Sequence, residues 1–169
     1  MKILETERLI IRRFTVEDGE FILELVNNPL WLRFIGDKGV RTLDDARNYI
    51  LKTLVGLYER LGFGLYLVAL KGEGIPIGMC GLIKRDSLDD VDIGFAFLPE
   101  FYQKGFAFES ASAVMEHGRR DFGLNRIVAI TSPDNNASAR LLEKLGFNFE
   151  KIIKLSGDGS EVSLFASDA

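Results

Sequence analysis

DIGFAFLPEFYQKGFAFESASAVMEHGRRDF, residues 92–122, is the stretch around which the rest of the chain can be arranged. Val91, Ile93, Phe95 and Phe97 alternate with Asp92, Gly94 and Ala96, the period-2 pattern of a strand. Pro99 cannot donate to a ladder, so the strand should end there. From Gly105 the apolar positions recur at helical spacing through Phe106, Ala107, Ala111, Val114, Met115, Gly118 and Phe122. Tyr102-Gln103-Lys104-Gly105-Phe106-Ala107 joins the two. Main-chain amides just before a helix N-terminus converge on one point and suit an anion such as a diphosphate. Gly105 has no Cβ to keep a phosphate away. An ordinary strand-to-helix connection containing a glycine is the alternative. The loop is neither a Walker A sequence nor a GxGxxG turn, so dinucleotide readings drop away.

Around this unit, Glu7 to Phe14 reads as a first strand. Thr15 caps a helix with its stripe at Phe21, Ile22, Leu25 and Val26, ending at Asn27-Asn28-Pro29. A short helix over Leu30 to Phe34 follows, then a longer one opened by Thr42 or Asp44 and stopped near Gly62. Three strand-like runs come next, Phe63 to Leu70, Ile75 to Ile83 and Val91 to Leu98, a meander of which the second is apolar on both faces. After the long helix come a strand at Asn125 to Thr131, a helix at Ala137 to Leu145, and a strand at Phe147 to Leu155. A turn at Gly157-Asp158-Gly159 and a last strand at Val162 to Ala166 complete the chain. The predicted order is β-α-α-β-β-β-α-β-α-β-β: an α/β (α+β) domain with a mixed, mostly antiparallel sheet and helices on both faces.

At 169 residues with 47% hydrophobic residues, including thirteen Phe, the chain fits one domain over residues 1–169 with a sizeable core. The net charge of −4 and the lack of a basic run give a nucleic-acid partner no support. A mildly acidic surface favours a cationic substrate, though weakly. One cysteine, Cys80, rules out an internal disulfide and fits a reducing compartment. No signal peptide or bilayer-spanning run is visible, so a cytoplasmic protein without a membrane partner is expected. There is no Cys/His metal spacing.

Four segments, in order along nearly the whole chain, resemble the GNAT superfamily of N-acetyltransferases, in particular its RimJ/RimL-type branch. TERLIIRRFTVEDGEFILELVNNP resembles the branch's first strand and helix. IPIGMCGL and VDIGFAFLPEF resemble its central hairpin. YQKGFA stands where the family has its (Gln/Arg)-x-x-Gly-x-(Gly/Ala) acetyl-CoA loop. NNASARLLEKLGF is similar to its Asn-x-x-Ser…Glu-Lys-x-Gly-Phe helix. The resemblance implies splayed central strands and an acetyl-CoA-dependent transfer to a primary amine. Pantetheine would pair with Phe97 and Leu98. The diphosphate would rest on the amides of Gln103, Lys104, Gly105, Phe106, Ala107 and Phe108, and Asn135 would hydrogen-bond pantetheine.

Two departures stand out. Tyr102 replaces Gln or Arg, and Gln103 replaces a common Gly; a loop that works through main-chain N–H groups tolerates both. Leu142 occupies the position of a frequent thiolate-protonating Tyr, and Ser138 is the hydroxyl the branch offers instead, with a capping or packing serine as the alternative.

Attack of an amine on a thioester needs a neutral amine, a donor for the oxyanion and a proton for the thiolate. A main-chain N–H near Phe97 can serve the oxyanion. Asp92, on one strand face with Gly94 and Ala96, is the base candidate; an edge-of-strand Asp facing solvent is the alternative. A weak base suits an α-amine, of pKa about 7.7–8.0, better than a lysine at about 10.4. Asp89 and Asp90 read as solvated, His117 as a surface or packing residue and Cys80 as inert core. Trp31 and Phe34 could wall the acceptor cleft or pack in the core, and Glu150 and Glu161 could enter it from the C-terminal strands. A primary amine is the expected acceptor, and the RimJ/RimL resemblance implies a protein N-terminal α-amine. A polyamine, an aminoglycoside or a catalytically silent acyl-CoA-binding module are the alternatives. The chain is expected to be a monomer or homodimer.

Overall fold

The sequence alternation becomes a sheet of eight strands in the computed structural model, which describes residues 1–155 and 159–169. The strands are β1 (Lys2–Glu5), β2 (Leu9–Arg12), β3 (Leu65–Leu70), β4 (Pro76–Ile83), β5 (Asp92–Phe97), β6 (Arg126–Thr131), β7 (Asn148–Lys154) and β8 (Glu161–Asp168). Their spatial order is β1-β2-β3-β4-β5-β6-β8-β7. Every neighbouring pair is antiparallel except β5 and β6, which run parallel. The expected turn at 157–159 falls outside the described residues, Gly159 apart.

The single first strand of the sequence reading is two strands. KILE pairs antiparallel with LIIR, and the Thr6 N–H donates to the Leu9 carbonyl at 2.9 Å to make the turn between them. Three charged or hydroxyl residues, Thr6, Glu7 and Arg8, interrupt the apolar pattern there.

The helices are α1 (Gly19–Leu25), α2 (Pro29–Phe34), α3 (Leu43–Tyr49), α4 (Gly56–Leu61), α5 (Phe106–Phe122) and α6 (Asn136–Lys144). Thr15 forms a capping box with Asp18, but over a 3₁₀ turn that precedes α1. The Asn28 side chain accepts from the Leu30 and Trp31 amides and starts α2, with Pro29 at its first position. Thr42 and Asp45 form a second capping box at α3. A π-helical turn, Ile50–Val55, joins α3 to α4, so the long helix expected over 42–62 is one run with a wider turn in its middle. Gly62, at φ 81°, ends it.

Period 2 along β3 divides the core. Tyr66 and Val68 join a cluster with Phe97, Phe106, Val114 and Met115 under α5. Leu67 and Ala69 join another with Ile22, Leu25, Trp31, Ala46 and Ile50 under α1 to α3. Helices therefore cover both faces. No helix among the described residues is long and apolar enough to cross a membrane.

Candidate active site

The site begins as a defect in the sheet. β4 and β5 pair without interruption from Ile83↔Asp92 to Gly78↔Phe97. On the other side, β5 meets β6 at one registered pair, Asp92↔Val128, supported by the Val128 N–H donating to the Val91 carbonyl at 3.0 Å. Beyond that rung the strands diverge. The Leu98 N–H donates to the Ile77 carbonyl at 2.9 Å. Antiparallel alternation then turns the main-chain groups of Phe95 and Phe97 toward the gap. The Phe97 ring lies over Gly78, where a Cβ would sit 2.4 Å from Phe97 Cδ1.

A cavity of about 850 Å³ occupies the gap and continues past it on both sides. At one end lies the loop after β5. A 3₁₀ turn at Pro99–Phe101 leads into Gln103 at φ 61° and Gly105 at φ 82°. Two left-handed residues this close curl successive amides into a concave nest. Gly105 is the N-cap of the seventeen-residue α5 and supplies no side-chain cap. The amides of Phe106, Ala107 and Phe108 therefore have no partner within the helix and stand at its positive end. That is the donor set a diphosphate needs. A left-handed non-glycine residue costs about 1–2 kcal/mol, so Gln103 holds its shape against a local preference.

What holds the loop is a clasp the sequence reading missed. Arg8 Nε pairs with Glu109 Oε1 at 2.7 Å, and Arg8 Nη1 donates to the Lys104 carbonyl at 3.0 Å. The Arg8 amide and the Thr6 hydroxyl both donate to Glu109 Oε2, at 2.9 and 2.5 Å. The Arg8 guanidinium covers the Phe106 ring, 4.4 Å from its centroid. Burial opposes ionisation of Glu109, but these donors win and hold its carboxyl below the usual range. Thr6 and Arg8 belong to the opening segment quoted above; its spacing gave no sign that it reaches residue 109.

Of the residues expected at the cofactor end, Phe97, Gln103, Gly105, Phe106, Ala107, Phe108 and Asn135 line the cavity. Leu98 and Lys104 do not. Leu98 spends its N–H on Ile77 and its carbonyl on the Phe101 N–H at 3.0 Å, so strand alternation leaves it nothing to offer pantetheine. The Lys104 carbonyl faces Arg8. Asn135 caps α6 by accepting from the Ser138 N–H at 3.2 Å, which leaves its carboxamide nitrogen to donate. Ser138, one turn into α6, lines the cavity as well.

At the other end, Asp92 is 1% exposed, not the solvent-facing Asp that an edge position would give. It shares its strand face with Gly94 and Ala96 and lines the cavity with both. Burial pushes its carboxyl up to about 6, against the pull of Arg85, whose Nε lies 3.3 Å from both oxygens, and of Lys84. Trp31 and Phe34 line this end with Tyr49, and Trp31 is also a core residue at 5% exposure. Glu150 and Glu161 do not line the cavity. Glu150 pairs with Arg126 at 2.6 Å, beside Asp90 at 3.1 Å, a surface network that draws it away. Glu161 is exposed at the start of β8. His117 is buried and bonds Asp121 at 2.6 Å. Cys80 is fully buried and its thiol is pushed up to about 12.

The family model described as an acetyltransferase (GNAT) domain matches residues 8–148. Among curated proteins, YoaA of Bacillus subtilis (strain 168), described as an uncharacterised N-acetyltransferase, is 34% identical over 90% of this chain and 86% of its own length. A GNAT-family acetyltransferase structure from Bacillus anthracis is 29% identical, covers 99% of this chain and 98% of its own, and superposes with a TM-score of 0.81. RimL, the ribosomal L7/L12 alpha-N-protein acetyltransferase solved in complex with coenzyme A, shares the fold at a TM-score of 0.84 and 22% identity, over 99% of this chain and 98% of its own. A sheet opened at one rung, helix-end amides beside the opening and this sequence kinship agree: the chain belongs to the GNAT acetyltransferase family.

Proposed function

We propose that this chain moves the acetyl group of acetyl-CoA to a primary amine, foremost a protein N-terminal α-amine, by direct attack in a ternary complex. The observation that carries the reading is the single cavity. It runs from unpartnered amides at the start of α5, through the β5/β6 gap, to a buried carboxylate. Coenzyme A would enter with its diphosphate on residues 103–108 and its pantetheine along Phe97. The amine nitrogen forms a bond to the thioester carbon and the carbon–sulfur bond breaks. The Phe97 N–H would donate to the oxyanion. The proton lost by nitrogen goes to Asp92, directly or through water; the thiolate takes one from Ser138, whose hydroxyl regains it from water as Asp92 returns its own to solvent.

With its carboxyl at about 6, Asp92 is ionised at neutral pH. Taking a proton from an α-ammonium of pKa about 8 then costs roughly 3 kcal/mol, against about 6 for a lysine near 10.4. Burial has thus moved Asp92 toward the α-amine. The RimL likeness, whose own acceptor is an α-amine, supports the same choice.

The test is thiol release from acetyl-CoA with peptides bearing a free N-terminus and with Nα-blocked lysine peptides. Free N-termini should be acetylated at least tenfold faster. Tight coenzyme A binding with no turnover on any amine would leave a silent acyl-CoA-binding module instead. Ser138→Ala should slow turnover and spare coenzyme A affinity; loss of binding would make Ser138 a cofactor ligand.

A further inference from the structure

The charge of the acceptor end runs against that of the whole molecule. The chain carries 25 acidic and 21 basic residues. Yet the charged side chains lining this end are Lys38, Lys84 and Arg85 against Asp92 alone. The Lys84 ammonium donates to the Leu88 and Arg85 carbonyls, which turns it toward main chain and leaves its positive charge to add to the field at this end. Arg85 hydrogen-bonds Asp92 through Nε only, which leaves both terminal nitrogens of a side chain that is 41% exposed. Lys38, an exposed residue of the loop after α2, forms no ion pair among the described residues, and local desolvation with the nearby Arg85 charge holds its ammonium below the ordinary value. The Trp31 Nε1–H is buried without a hydrogen-bond partner among the described residues, and Trp31 also lines the cavity. Two exposed cations, Arg85 paired with Asp92 through one edge only and Lys38 without an ion pair among the described residues, stand with a buried donor in a set that lacks an anionic acceptor.

We propose that the acceptor presents its amine beside an anionic group, a carboxylate, which Lys38 and Arg85 hold at the end of the cavity remote from Gly105. The proposal rests on the amine-acetyltransferase reading and names its substrate class: an acidic N-terminal segment, or a small amino acid that supplies the same carboxylate. It reverses the weak expectation of a cationic substrate drawn from net charge. A polyamine would bring like charges together, which disfavours it directly.

The experiment compares matched peptides with Asp and Glu, Asn and Gln, or Lys at the second and third positions, and free glutamate with glutamic acid diamide. The expected result is a kcat/KM for the acidic peptide roughly fivefold or more above the neutral one, carried by KM and shrinking with added salt. The lysine peptide should trail both. In Lys38→Glu the acidic-to-neutral ratio should fall to one or invert, a readout that general damage to the fold would not move. A preference seen for glutamate over its diamide, with no difference among peptides, keeps the carboxylate and assigns it to a small molecule. Equal rates across acidic, neutral and basic acceptors overturn the proposal, as does a ratio unchanged in Lys38→Glu. Failure to acetylate any acceptor while coenzyme A binds sinks the acetyltransferase reading first, and this one with it.

Discussion

The two ends of the cavity are built from different materials. The loop end is main chain: amides at the start of α5, curled by Gln103 and Gly105 in left-handed conformations and pinned from behind by Arg8. The acceptor end is side chain: Trp31 from α2, Lys38 from the loop after it, Tyr49 from α3, Arg85 after β4 and Asp92 on β5. A site made of amides binds the same group whatever side chains decorate it, so on the proposed reading Tyr102 and Gln103 can depart from the family pattern. A site made of side chains changes its guest with each substitution.

The comparison breaks most sharply at Gly105. Its φ of 82° disfavours any side chain, and a Cβ would sit 3.2 Å from Arg8 Nη2. Gly105→Glu should weaken coenzyme A binding by about 100-fold or more, by straining the left-handed turn and by pulling Arg8 off the Lys104 carbonyl behind the nest. Calorimetric titration measures this, and unchanged affinity would mean the loop is not where the diphosphate rests.

At the acceptor end, Asp92→Asn should lower kcat by about 10²-fold and remove the limb of the pH–rate profile near pH 6. The same change should stabilise the fold. The native carboxyl is raised to about 6 from 3.8, so the folded chain holds its proton longer than the unfolded one. Stability is therefore lost as pH rises from about 4 to about 6, and the ionised group costs roughly 2–3 kcal/mol at neutral pH. A melting temperature that rises in Asp92→Asn at pH 7 but not at pH 4 would confirm the sign; a fall at pH 7 would refute it.

Smaller effects sharpen the loop end. Arg8→Ala removes the clasp without touching the nest, so coenzyme A affinity should drop about fivefold, a charge-assisted contact discounted for its exposure. An equal loss in Glu109→Gln would show the pair acting as one unit. Gln103→Gly relaxes the left-handed position, and relief of about 1–2 kcal/mol is partly offset by a more flexible unfolded chain. A gain of a few tenths to about 1 kcal/mol in denaturant unfolding is expected. A loss would mean that the Gln103 side chain itself holds the loop.

The same contrast explains what could be read from the sequence. Strand and helix periods over residues 91–122 located β5, the loop and α5 because each depends on local pattern. Gly105 was legible because the conformation it permits is a property of one residue. That Leu98 does not line the cavity could not be read, because the side facing the gap depends on which carbonyl β4 presents, and that is set by pairing. Arg8 and Glu109 meet across a hundred residues of sequence, and Lys38, Tyr49 and Arg85 are surface-type residues in unremarkable stretches. No period or spacing links them; only the closing of the sheet does. Glu150 lies off the cavity for the converse reason, since Arg126 pairs with it from β6, two strands away in the sheet.

The lone rung between Asp92 and Val128 has a mechanical meaning. Five strands lie on one side of it and three on the other, so the sheet is two plates hinged at a point. A cofactor arm lying in the wedge would act as mortar between the plates. At a hundred times its dissociation constant it would add about 2.7 kcal/mol to the folded state. Each catalytic cycle would then cement a seam and crack it open again.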